Sequence, residues 1–211
     1  PEREMMVRSQ IEARGIDDPR VLEAMRRVPR HLFVPPGLRS KAYADHPLPI
    51  GEGQTISQPY IVALMTQSLG LTPQSRVLQI GTGSGYQAAV LSHIARTVFS
   101  VEIKAGLYRK ARDLLQDLAY SNVETRLGDG YYGWEAHAPY DGIMITAAVD
   151  HIPPPLLAQL KDGGSLILPL GNPFSYQNLV RVTKKQTDFI SESITTVRFV
   201  PLTGKALGNK K

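Results

Sequence analysis

Three stretches of the 211-residue sequence carry residue types whose spacing suits a small-molecule site. The first reads Gln79-Ile80-Gly81-Thr82-Gly83-Ser84-Gly85-Tyr86. Glycines at alternate positions let a backbone turn sharply and let a ligand approach the main chain closely. A dinucleotide-binding turn spaces its third glycine one residue later, to seat a pyrophosphate at a helix N-terminus. Here the third glycine comes one residue early and Tyr86 stands at that place, so the loop departs from the pyrophosphate pattern. By itself it is also compatible with a tight strand-to-helix turn and no ligand. The second stretch, Val101-Glu102-Ile103, follows roughly twenty residues beyond the glycine turn, where a carboxylate can accept hydrogen bonds from both hydroxyls of a ribose. The third is Leu127-Gly128-Asp129-Gly130. Its Asp can reach an adenine amino group and Gly130 leaves the ring room, although Asp-Gly is also a common turn pair.

These stretches need strand ends to hold them, and the surrounding pattern supplies strands. Short apolar runs at 76–80, 97–101, 123–127, 140–145 and 165–170 alternate with helical spacing at 85–95, 106–118 and 154–160, and two more strands fit 178–183 and 195–200. Such alternation predicts a mainly parallel sheet covered by helices, with ligands beyond the carboxyl ends of the strands. Thr146-Ala147-Ala148, after the fourth of these strands, fits a narrow reaction channel or close packing. Upstream, a helix over 2–14 stops at Gly15. A second begins at Asp17-Asp18-Pro19 with an acidic cap and an early proline, carries Val21, Leu22, Met25 and Val28 on one side, and ends before Pro29. Residues 29–59 are rich in Pro and Gly and are expected to be mostly irregular, a length that usually covers something. Ser57-Gln58-Pro59 reads as the cap and first turn of a helix that buries Ile61, Leu64, Met65 and Leu69 and ends at Gly70. The expected organisation is an extension over 1–58 that covers the site, joined to a domain over 59–211 in one compact unit.

Composition narrows the chemistry. There is no cysteine, which excludes disulfides, a thiolate nucleophile and thiolate zinc ligands, and no metal site is expected. The net charge of +5 is spread along the chain, with dense clusters only at Lys184-Lys185 and Lys210-Lys211. A solvated basic surface is therefore expected rather than a nucleic-acid groove. Apolar runs are too short to cross a bilayer, and the polar start Pro1-Glu2-Arg3-Glu4 has no secretory pattern, so a cytoplasmic protein is expected.

The G-x-G-x-G spacing is the usual form in S-adenosylmethionine enzymes. Taken with Thr55-Ile56-Ser57-Gln58-Pro59, Gly128-Asp129-Gly130, Ala138-Pro139-Tyr140-Asp141, Gly163-Gly164, Leu168-Pro169-Leu170-Gly171 and Arg198-Phe199-Val200-Pro201-Leu202, the chain resembles the bacterial type of protein-L-isoaspartate (D-aspartate) O-methyltransferase. The likeness runs from Val28-Pro29-Arg30 nearly to the C-terminus, and Thr-Ile-Ser-Gln-Pro is its most restricted string. The resemblance implies a class I methyltransferase fold, an α/β architecture with a seven-stranded, mostly parallel sheet, helices on both faces and an N-terminal helical extension. It implies methyl transfer from S-adenosyl-L-methionine to the free carboxylate of L-isoaspartyl or D-aspartyl residues in damaged proteins, leaving S-adenosyl-L-homocysteine. The ester then collapses to a succinimide that hydrolyses partly to normal aspartate. It further implies a monomer with Ser57 as the active-site residue. Cofactor contacts are expected at Thr55, Ile56, Ser57, Gly81, Thr82, Gly83, Ser84, Gly85, Glu102, Ile103, Asp129, Gly130, Thr146 and Thr203.

The sequence departs from the family at Gln79, where Asp or Glu is usual and helps to place the methionine moiety of the cofactor. Glutamine keeps the size and an acceptor oxygen but loses the charge, so cofactor binding is expected to be weaker by about 1 kcal/mol, and Gln79→Glu to restore it. Ser57 has a second reading as a helix N-cap. Tyr43, Asp45 and His46 fall in the covering segment, His46 as a structural or surface residue, and residues 197–202 could offer main-chain groups to an extended peptide as an edge strand does. Two other classes compete. One is a methyltransferase of nucleic acids or small molecules, but the Asn/Asp-Pro-Pro-aromatic string of amino-group DNA enzymes is missing after the fourth strand, where Thr146-Ala147-Ala148-Val149 stands. The other is a nicotinamide oxidoreductase or a non-catalytic nucleotide-binding module, and the glycine spacing argues against the oxidoreductase.

Overall fold

A computed structural model describes residues 1–208; Lys210 and Lys211, the second basic cluster, lie outside the described residues. The chain opens with α1 (Glu2–Met6), which widens over Val7–Ile11, tightens over Glu12–Arg14 and ends at Gly15 with φ 90°. Helix α2 (Pro19–Arg27) starts as its sequence demands: Asp18 accepts from the Arg20 N–H at 2.9 Å and Pro19 opens the first turn. It ends as Val28 turns extended before Pro29.

The segment over 29–59 holds more order than its composition implied. Two tight helical turns, Arg30–Phe33 and Pro36–Lys41, precede a hairpin of β1 (Leu48–Gly51) and β2 (Gln54–Ile56). Gly51 and Gly53 take positive φ around its turn, a conformation that glycine enters without strain. Helix α3 (Pro59–Ser68) follows.

The main sheet is built from β3 (Arg76–Ile80), β4 (Thr97–Glu102), β5 (Val123–Leu127), β6 (Tyr140–Ile145), β7 (Leu160–Gly171), β8 (Gln177–Lys185) and β9 (Asp188–Val197), ordered β5-β4-β3-β6-β7-β8-β9. The first five are mutually parallel, and β8 and β9 add an antiparallel edge. Between them run α4 (Tyr86–Ser92), α5 (Ala105–Asp117) and α6 (Pro154–Ala158). Side chains alternate across each strand, and the core divides accordingly. Val77, Val98, Met144 and Ile167 pack with α2 to α5, whereas Leu78, Phe99, Ile143 and Leu166 pack with α6 and the loop carrying Trp134. The extension shares the first of these cores, through Met6, Ile11, Met25, Phe33 and Ile56. No helix among the described residues is long and apolar enough to cross a membrane.

The expected last strand, 195–200, is misplaced. Strand β9 begins at Asp188 and ends at Val197. Nearly all of it is solvent-exposed on both faces, so it lacks the alternation that flags a half-buried strand. Residues 198–203 leave the sheet and cross the end of β6, tied by Ala148 N–H to the Val200 carbonyl and Leu202 N–H to the Ala148 carbonyl, both at 2.8 Å.

Candidate active site

Strand β3 lies between β4 and β6, so the chain leaves it toward one side and returns on the other. This reversal opens a crevice beyond the strand ends, and the glycine turn sits in it. The turn continues the sheet: Gly81 N–H donates to the Val101 carbonyl at 2.9 Å. Gly81, Gly83 and Gly85 take φ of 93°, 56° and 89°. At Gly81 a side chain is excluded twice over, since its first carbon would also lie 2.7 Å from Thr146 Oγ1. The Thr146 hydroxyl in turn reaches the Ile80 carbonyl at 2.9 Å and the Gly81 carbonyl at 2.7 Å, locking the turn to the neighbouring strand end.

Glu102 ends β4 and is 5% exposed. Its Oε2 accepts from Gly83 N–H at 2.8 Å and its Oε1 from Lys104 N–H at 2.9 Å. A carboxylate has about four acceptor positions, so the clamped group can still receive two hydroxyls. Gln79 lies beneath the turn and is almost wholly buried. Ser100 Oγ donates to its Oε1 at 3.0 Å, its Nε2 donates to the Gly81 carbonyl at 3.2 Å, and Ser100 Oγ lies 2.6 Å from Thr82 Oγ1. The side-chain amide is oriented by this arrangement, because the Gly81 carbonyl can only accept.

Part of the pocket wall comes from β2 and the residue after it, Thr55, Ile56 and Ser57. Ser57 does not cap α3: Gln58 holds the cap position and no side chain bonds there. Ser57 is half-buried and lines the pocket. Ile103, Gly130, Thr82, Ser84 and Thr203 join the lining. The titratable groups on the wall are Glu102, Lys104 and Tyr86. Burial pushes the Tyr86 phenol up to about 12, so it stays neutral and is no base near pH 7.

Two expected contacts are not on this wall. Gly85 serves packing, for a side chain there would press on Leu115 of α5 at 3.3 Å. Asp129 acts as a brace as well: Oδ1 accepts from Tyr131 N–H at 2.9 Å, and Oδ2 from Lys205 N–H at 2.8 Å, each oxygen keeping a further acceptor position. It ties the end of β5 to the crossing C-terminal segment. That segment contributes a stretch of wall, Phe199 to Leu202, whose first two residues were expected in a strand over 195–200. Pro201 was the available signal, since proline rarely continues a strand. Main-chain recognition by this stretch is curtailed, because Phe199 N–H, Val200 C=O and Leu202 N–H already have partners. Gln54, Val62 and Gln87 also line the pocket, and no local pattern marks them.

The Gln79 geometry extends the expectation for Gln79→Glu. A carboxylate can still accept from Ser100 but cannot donate to the Gly81 carbonyl. The variant should gain about 1 kcal/mol in cofactor binding and lose about 1–3 kcal/mol of stability in the free protein. Calorimetric titration and thermal melts read the two separately. A melt identical to the parent's would show that the amide does not hold the turn.

The family model for protein-L-isoaspartate(D-aspartate) O-methyltransferase matches residues 2–207. A protein-L-isoaspartate O-methyltransferase 2 of Shewanella sediminis (strain HAW-EB3) is 67% identical over 205 residues, spanning 97% of this chain and 84% of that protein. Among solved structures, a protein-L-isoaspartate O-methyltransferase superposes with a TM-score of 0.88 at 32% identity, covering 97% of this chain and 67% of the other. A Plasmodium falciparum structure in complex with S-adenosyl-L-homocysteine gives 0.81 at 25% identity, covering 95% and 98%.

Proposed function

The chain belongs to the protein-L-isoaspartate (D-aspartate) O-methyltransferase family, and from that premise we propose that it methylates the free carboxylate of L-isoaspartyl and D-aspartyl residues in damaged proteins, with S-adenosyl-L-methionine as donor. The observation that carries this reading is the meeting of three features on one pocket: the glycine turn, the clamped Glu102 and the uncapped Ser57.

When bound, the cofactor supplies a methyl group on a sulfonium. Glu102 would accept the ribose hydroxyls, and residues 81–84 and Gly130 on the same wall would hold the rest of the cofactor. The acceptor carboxylate is ionised near pH 7, since its ordinary pKa is about 4, so no side chain has to remove a proton. That matches a wall whose titratable groups include no histidine. Charge disappears as the carboxylate meets the sulfonium. A cationic clamp would therefore hold the reactants more firmly than the transition state and slow the step. A neutral hydroxyl orients without that penalty, and Ser57 fills this role, with rate gained by positioning. On the same reading the enzyme works in the cytoplasm as a monomer, uses no metal, and acts on protein rather than nucleic acid.

The test is radiolabelled methyl transfer to an isoaspartyl peptide beside its aspartyl twin and an RNA control. Label should enter the isoaspartyl peptide as a base-labile ester. Equal labelling of the aspartyl twin, or labelling of RNA alone, would overturn the reading.

A further inference from the structure

A second groove adjoins the cofactor pocket and shares Thr55, Ser57 and residues 199–201 with it. Its outer wall is the loop 172–176 between β7 and β8. Two aromatic side chains stand there in solvent, Phe174 at 75% and Tyr176 at 66% exposed. They are the most exposed large apolar side chains of the described protein, and large apolar groups gathered on a groove mark a binding surface.

The loop that carries them is firmly built. Asn172 Oδ1 accepts from Phe174 N–H at 2.9 Å. The buried Gln177 donates through Nε2 to the Asn172 and Ser175 carbonyls, both at 2.8 Å, and accepts from Phe199 N–H at 2.9 Å. One buried amide thus fixes the aromatic loop relative to the wall that both cavities share. The groove has a single charged side chain on its lining, Arg198, whose guanidinium lies 5.8 Å from the Tyr176 ring centre.

We propose that this groove selects substrates by the neighbours of the isoaspartyl residue: Phe174 and Tyr176 take a large apolar or aromatic neighbour, and Arg198 favours an acidic neighbour over a basic one. The proposal rests on the function given above. Its physical basis is continuity. With the reacting carboxylate at Ser57, an extended chain advancing about 3.3 Å per residue lays the adjoining residues along the aromatic loop. Aromatic pairing adds to simple burial, and an unopposed guanidinium discriminates by charge sign.

The experiment uses isoaspartyl peptides identical except for the adjoining residues, Phe, Ser, Asp or Lys. They are assayed with the parent enzyme, with a Phe174→Ser/Tyr176→Ser double variant and with Arg198→Glu. Binding of S-adenosyl-L-homocysteine is titrated in each protein to show an intact cofactor pocket. The parent should use the Phe peptide about tenfold better than the Ser peptide, through KM rather than kcat, and the Asp peptide better than the Lys peptide. The double variant should lose the preference for Phe, and Arg198→Glu should reverse the order of Asp and Lys, with homocysteine-cofactor affinity unchanged in both. Equal kcat/KM across the peptides, or preferences that survive in the variants, would overturn the proposal while leaving the methyltransferase reading intact. Methylation of none of the isoaspartyl peptides would overturn that reading and this one with it.

Discussion

Glu102→Gln should weaken binding of S-adenosyl-L-homocysteine at least about 100-fold while the protein stays folded. Glutamine has nearly the same volume, so packing at this buried strand end is preserved. Its chemistry is not. Both carboxylate oxygens now accept a backbone N–H, from Gly83 at 2.8 Å and Lys104 at 2.9 Å. An amide has only one oxygen, so its NH2 must face one of those donors or turn away from it. The variant therefore loses a brace of the glycine turn as well as a charged acceptor for the ribose. Hydrogen bonds to a charged group contribute about 1.5–3 kcal/mol each, and weakening both ribose contacts gives the stated factor, whereas the lost brace, present in the free protein as well, shows in stability. Titration calorimetry measures it, and a thermal melt guards against global unfolding. A dissociation constant raised less than about threefold would remove Glu102 from nucleoside binding.

Ser57→Ala should cut kcat roughly tenfold to a hundredfold and leave cofactor affinity nearly unchanged. The structure makes this a clean substitution. Had Ser57 capped α3, alanine would cost about 1 kcal/mol of stability and blur any kinetic effect. Gln58 occupies the cap position with no side-chain bond, so the melting temperature should not move. Single-turnover kinetics with saturating cofactor isolate the chemical step. A variant with full kcat would retire the hydroxyl from the reaction, and one with raised cofactor dissociation alone would make Ser57 a binding residue.

Much of the candidate pocket was legible because its backbone depends on local rules. A turn with glycines at 81, 83 and 85 requires positive φ wherever it folds, and Glu102 must end a strand that packs beside it in parallel. The buried parallel strands β3, β4 and β6 read as short apolar runs for the same reason, being covered on both faces. Strand β9 was shifted because an exposed edge leaves no such record. The hairpin of β1 and β2 was missed inside a Pro- and Gly-rich stretch, since its strands have four and three residues, too few for a period to emerge.

By itself the sequence determined which chemistries are open: no thiol, a glycine turn and a strand-end carboxylate of types that suit a nucleoside, and a hydroxyl on a family-specific string. Tertiary structure decided what each polar group does. Asp129, suited by type to an adenine, also accepts from the main chain of Lys205, 76 residues away. Gly85 lies against Leu115, where a side chain would press at 3.3 Å. Gln79, by type a weakened carboxylate, joins Ser100 to Gly81 beneath the turn. A side chain's type and its own φ/ψ preferences are local properties, carried in the sequence. Its hydrogen-bond partner is set by which distant backbone the fold brings within about 3 Å, and no local period encodes that.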